Sequence, residues 1–184
     1  FYETFLDSTF SYGPALAGVY GVVGLRFANA DVLPFDLVRY ATDLSSHIDG
    51  LKNRADELER TLDAGRLEND ISTLGELASS IEKQLPEWLQ SRPDKSTLDE
   101  FNRILISLER SFLDDDGLPF SRWQQSLYAS ADPWSMYAAW IIPGVRYILE
   151  DERSDEELNR ELSRFGEALS RLNGKMETLK DLMN

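Results

Sequence analysis

Residues 158–183 read LNRELSRFGEALSRLNGKMETLKDLM. Leu158, Leu162, Phe165, Leu169, Leu172, Met176, Leu179 and Met183 recur there at alternating spacings of four and three. That rhythm places all eight on one stripe of a 3.6-residue helix, the pattern of a long amphipathic helix packed along one side. Its start is written just upstream. Ser154 is an N-cap with Glu157 in the capping-box position, and Asp155, Glu156 and Glu157 lie at the positive end of the helix dipole.

The same rhythm recurs outward along the chain. Leu67, Ile71, Leu74, Ala78, Ile81, Leu85 and Trp88 form a second stripe. Leu98, Phe101, Leu105, Leu108 and Phe112 form a third, introduced by Asp94 and Ser96 as candidate N-caps after Pro93. A fourth runs through Leu37, Tyr40, Leu44, Ile48, Leu51, Ala55, Leu58 and Leu62, and Pro34 and Asp36 before it suit a helix start. Ala138, Ile141, Ile142, Val145, Ile148 and Leu149 point to a further helix that Pro143 either kinks or begins. No stretch alternates with period two for long; the one extended candidate, 123–129, would be a lone strand without a partner. The expected fold is all-α, a bundle of about five to six helices.

Composition limits the chemistry. Among 184 residues there are 19 Lys and Arg, 33 Asp and Glu, one His and no Cys, for a net charge of −14. A thiol nucleophile, a disulfide, a thiolate zinc site and a two-histidine metal helix are all excluded. A pI near 4.4 argues against nucleic acid or an anionic membrane surface as a partner, since both are bound through clustered Lys and Arg. The consecutive acids Asp114, Asp115 and Asp116 do not alternate as a calcium loop requires, so they read as a solvated turn. His47 has no second histidine to pair with and reads as a surface or half-buried helix residue. The residues alone describe a helical domain with no self-contained catalytic or metal site.

Two segments depart from the pattern. Residues 15–30 are apolar on every side, with Ala17, Gly21, Gly24 and Ala28 small and Leu16, Tyr20, Val23 and Phe27 large. Each interior glycine costs a helix about 0.8 to 1 kcal/mol relative to alanine. Such a helix is expected to be central and buried, with the small face against another backbone. It is too short and too interrupted by Ser, Pro and Gly to cross a membrane. The second departure, 113–133, is the one long irregular connection, and it ends at Trp134, Ser135, Met136 and Tyr137.

Several blocks in order carry a resemblance: 1–5 (FYETF), 25–36 (LRFANADVLPFD), 108–114 (LERSFLD) with Gly117-Leu118-Pro119, and Tyr137 with Pro143-Gly144. Together they resemble the C-terminal helical domain of the transferrin receptor and glutamate carboxypeptidase II family, over nearly the whole chain. The resemblance implies a dimerisation domain that pairs with a second copy of itself and follows a di-zinc peptidase domain. Residues 1–12 would be the tail of that upstream domain and 13–184 the helical domain, with two zinc ions held upstream of Phe1. The chain would not be catalytic on its own. It would line the substrate pocket of a longer peptidase, of carboxypeptidase or aminopeptidase type, and meet peptide substrate only in that context.

The family's glutamate-binding loop carries adjacent lysine and tyrosine. Tyr137 matches the tyrosine, while Met136 stands at the lysine position. A thioether cannot pair with a carboxylate, so Trp134, Ser135, Met136 and Tyr137 are candidate residues of a more apolar substrate pocket. An extracellular, exported or vacuolar location is implied by the resemblance alone. The alternatives are a receptor-like member without activity and a free-standing helical adaptor.

Overall fold

The computed structural model describes residues 9–184, so the opening FYETF block lies outside the described residues. The chain divides into two compact units, one ending at Phe35 and the other running from Asp36 to Asn184.

The first unit contains α1 (Tyr12–Ala28), closed by Asn29, whose side-chain amide donates to the Leu25 carbonyl at 2.8 Å. No residue of α1 is buried. A Cβ placed on Gly18, Gly21 or Gly24 would meet no atom within 4 Å. Among the described residues of this first unit, nothing covers Ala17, Gly21, Gly24 and Ala28, which are exposed. The sequence pattern showed that α1 needs cover on every side but could not show whether this chain supplies it.

The second unit comprises α2 (Leu37–Glu57), α3 (Gly65–Gln90), α4 (Lys95–Ser107), a 3-10 turn at Glu109–Phe112, β1 (Ala129–Ala131), β2 (Ala139–Ile141), α5 (Pro143–Glu150) and α6 (Asp155–Asp181). The described fold is all-α apart from one two-stranded sheet. Helix α3 packs against both α2 and α6. The three stripes meet there: Leu44, Ile48, Leu74, Ile81, Phe165, Leu169 and Leu172 are almost completely buried. Phe112, at the end of the 3-10 turn, joins the elements, with ring centroids 5.5 Å from Phe165, 5.2 Å from Tyr128 and 6.4 Å from Tyr40.

The helix starts follow their caps. Asp36 accepts from the Arg39 amide and Asp94 from the Thr97 amide, each at 2.9 Å, while Ser154 and Glu157 form the reciprocal capping box. Ser96 instead donates to the Asp94 carboxylate. Helix α2 stops before the end of its apolar stripe; Leu58 is its C-cap and Leu62 lies in the connection.

Residues 129–142 differ most from expectation. β1 and β2 pair antiparallel, with Ala129 opposite Ile141, Ser130 opposite Trp140 and Ala131 opposite Ala139. The expected strand 123–129 is not formed except at Ala129; the strand lies at Ala129–Ala131 and pairs with residues expected to be helical. Three residues per strand are too few for alternation to appear, and an apolar run reads equally well as helix. Ile142, at φ 50°, turns the chain, and Pro143 begins α5 rather than kinking it. No helix among the described residues is long and apolar enough to cross a membrane.

Candidate functional site, a loop organised by Asp132

The seven residues 132–138 that connect β1 to β2 are organised by one carboxylate. Asp132 is 5% exposed. Its Oδ1 accepts from the Trp134 amide at 3.0 Å and the Ser135 amide at 2.6 Å. Its Oδ2 accepts from the Ala138 amide at 3.1 Å and from the Ser135 hydroxyl. The Asp132 amide donates to the Ala138 carbonyl at 2.9 Å, and the Tyr137 amide donates to Ser135 Oγ at 3.2 Å. An aspartate followed by proline favours such a side-chain-closed turn, because the carboxylate replaces backbone partners that a tight loop lacks. Hydrogen bonds from the Ser135 hydroxyl and amide, with those from Trp134 and Ala138, outweigh burial and hold the Asp132 carboxyl at about 2.

This scaffold presents side chains outward. Trp134, Met136 and Tyr137 are 61%, 62% and 97% exposed. Met136 sits in the left-handed region at φ 61°, which a non-glycine residue adopts only where its surroundings hold it. Below the loop, Trp134 meets the buried Trp140 edge-on at 5.0 Å, and the Arg146 guanidinium lies 4.8 Å over the Trp140 ring. The four sequence-expected residues Trp134, Ser135, Met136 and Tyr137 are therefore brought into one loop. The Ser135 hydroxyl is turned inward and donates to Asp132. The residue that organises the loop, Asp132, was visible in sequence only as an Asp-Pro pair.

A second polar cluster supports the same end of the unit. Glu161, 3% exposed, accepts from Arg164 Nη1 at 3.0 Å through both oxygens. Arg164 also reaches the Asp114 carboxylate at 2.9 Å and the Gly117 carbonyl at 2.6 Å. Asp114 is thus half-buried and paired, a correction to the solvated turn, which Asp115 and Asp116 do form. Burial alone would raise the Asp114 carboxyl; bonds from Arg164 and the Asp116 amide override it and leave it below the ordinary carboxylate value. Gly117, at φ 71°, lets the loop turn where a Cβ would lie 2.6 Å from Arg122 Cα.

No catalytic set converges elsewhere among the described residues. His47 is half-buried and meets Tyr128 edge-on at 6.2 Å. The groove between α2 and α3 is lined by Thr42, Ser45, Ser46, Asp49, Glu68 and Ser72, hydroxyls and acids without a histidine base. Among the described residues, no three His, Cys, Asp or Glu side chains come together to hold a metal.

A transferrin receptor-like dimerisation domain model matches residues 41–177. The chain belongs to that family. Two Arabidopsis thaliana proteins are similar to it. One is named "Probable glutamate carboxypeptidase LAMP1", 30% identical over 145 residues, covering 78% of this chain and 20% of that protein. The other is named "Probable glutamate carboxypeptidase AMP1", 26% identical over 170 residues, covering 90% of this chain and 24% of that protein. A "Probable glutamate carboxypeptidase" of Arthroderma benhamiae is 24% identical over 148 residues, covering 80% and 20%. This dimerisation domain thus spans about a fifth to a quarter of the length of these relatives. The matched residues lie within the second unit, and α1 precedes them.

Proposed function

We propose that the chain is the homodimerisation module of a longer zinc-dependent peptidase, non-catalytic by itself, whose 132–138 loop borders the peptide-binding pocket. The match of residues 41–177 to a dimerisation domain carries the first part of this reading. The names of the relatives support the peptidase context. The described residues do not fit a zinc centre, with a single histidine in the chain, no cysteine and no converging ligand set. Zinc in such a protein would be held by residues outside this chain.

The prebuilt 132–138 loop supports the pocket-lining role. It carries a rigid aromatic and thioether surface with no cation at Met136, which suits an uncharged, apolar substrate side chain better than a carboxylate. Hydrolysis by the natural-length protein of peptides ending in leucine and in glutamate tests this. Faster turnover of the leucine peptide, reduced by Tyr137→Ala, is expected; a clear preference for glutamate would overturn it. For dimerisation, the melting temperature should rise with protein concentration, as mass action requires when the dimer is the stable form. A melting temperature independent of concentration would count against it.

A further inference from the structure

We infer that Arg110, Arg171 and Lys175 form a binding site for a dianionic oxyanion of the phosphate class, free or carried as an ester, where the end of α4 meets α6. The inference stands apart from the dimer and peptidase readings.

Two backbone carbonyls place the group. The last carbonyls of a helix lack intrahelical donors, and cations suit them. Here α6 supplies the cations: Lys175 Nζ donates to the Ser107 carbonyl, and Arg171 donates to the Ser111 carbonyl through Nε at 3.1 Å and Nη2 at 2.9 Å. Arg110 lies on the 3-10 turn, between Ser107 and Ser111 in the chain. Among the described residues its side chain makes no hydrogen bond or ion pair.

Capping accounts for two cations but not for three together. Arg171 and Lys175 are four residues apart on α6, a like-charge spacing that is mildly unfavourable on a helix. Arg110 adds a third charge: burial, then the Arg110 and Arg171 charges, hold the Lys175 ammonium below its ordinary value. In a chain of net charge −14, carboxylates pair with most of the other cations, Arg54, Arg103 and Arg164 among them. Among the described residues none pairs with Arg110, Arg171 or Lys175. Glu109 acts instead on Tyr40 and Tyr128, and Asp114, within range of Arg171, is bonded to Arg164. The patch is a local positive excess that no described carboxylate neutralises.

The donors left over define the ligand. Arg171 keeps Nη1, Lys175 keeps two of its three ammonium hydrogens and Arg110 keeps its whole guanidinium, with both arginines exposed. A carboxylate has two oxygens and one charge, which a single guanidinium satisfies. A phosphate group offers three or more oxygens and up to two charges, enough to engage an arginine fork and a lysine point charge together.

Backbone amide NMR of the 184-residue chain, titrated with inorganic phosphate at an ionic strength held constant with sodium chloride, tests the site. Saturable shifts confined to the surroundings of 107–113 and 171–175 are expected. Arg110→Gln should weaken phosphate binding about fivefold, the upper range for one exposed charge contact, and adding Lys175→Gln should remove saturation. Lys83→Gln, which removes an exposed cation on α3, should leave binding unchanged. Glycerol 3-phosphate separates the two sources: tighter binding than inorganic phosphate points to an ester ligand, and weaker binding to the free ion. Linear shifts without saturation, unchanged affinity in Arg110→Gln, or an equal loss in the Lys83 variant would overturn the inference. So would tighter binding of succinate, a dicarboxylate of the same charge.

Discussion

Glu161 on α6 stands directly beside Gly144 in the first turn of α5: its Oε2 lies 2.5 Å from the point a Cβ on Gly144 would occupy. The carboxylate cannot swing away freely, because it is buried and held by Arg164. Gly144→Ala should therefore cost about 1–3 kcal/mol as overpacking, read as a lower urea midpoint. Gly174→Ala, where a Cβ meets nothing within 4 Å, should not destabilise and serves as the control.

Arg164 donates to both oxygens of Glu161, with the Arg160 guanidinium 3.8 Å away, and also fastens the 114–117 turn. Arg164→Met leaves the buried Glu161 carboxylate without its hydrogen-bonded cation and only the more exposed Arg160 at 3.8 Å, which should cost about 3–5 kcal/mol by chemical denaturation. Adding Glu161→Gln to that variant should recover part of the loss. A loss below 1 kcal/mol, on the scale of an exposed pair, would show that the network is solvated.

Asp132→Asn tests the loop. An amide retains one acceptor oxygen and turns an NH2 toward the Ser135 and Ala138 donors. The expected outcome at neutral pH is a changed near-ultraviolet signal from Trp134 and Trp140 with the helical signal intact. The sign of the pH dependence follows from a folded value of about 2 against an ordinary one of about 3.9. The carboxylate's contribution is present above about pH 4 and lost as pH falls from there through about 2. The difference between the two proteins should shrink over that window; a constant difference would mean that the carboxylate does not hold the loop.

The core and the cap should separate by magnitude. Leu169, fully buried on α6, should cost about 2–5 kcal/mol on truncation to alanine. Ser154→Ala, which removes one side of the capping box, should cost about 0.5–2 kcal/mol.

The long helices were legible in sequence because each carries a stripe that repeats many times, as at Leu158 through Leu179, and because Asp36, Asp94 and Ser154 mark where they begin. Their packing order was not, since a stripe shows which face is buried but not against what. The loop residues Trp134 to Tyr137 were found through resemblance, while their geometry was hidden: β1 and β2 have three residues each, and Asp132 acts through bonds to residues two, three and six positions away. Asp114 was misread because its partner, Arg164, is fifty residues distant. Helix α1 shows the limit of composition, which demands burial but is silent on which chain supplies it.

The central claim is that this chain brings two copies together. Sedimentation equilibrium of the 184-residue protein over about 1 to 100 µM, the range in which a moderately stable interface is populated, measures it directly. Convergence on twice the 21.0 kDa chain mass with rising concentration is predicted. A single species at the monomer mass across the whole range, 21.0 kDa for this chain and correspondingly less for a version beginning at Asp36, would contradict it.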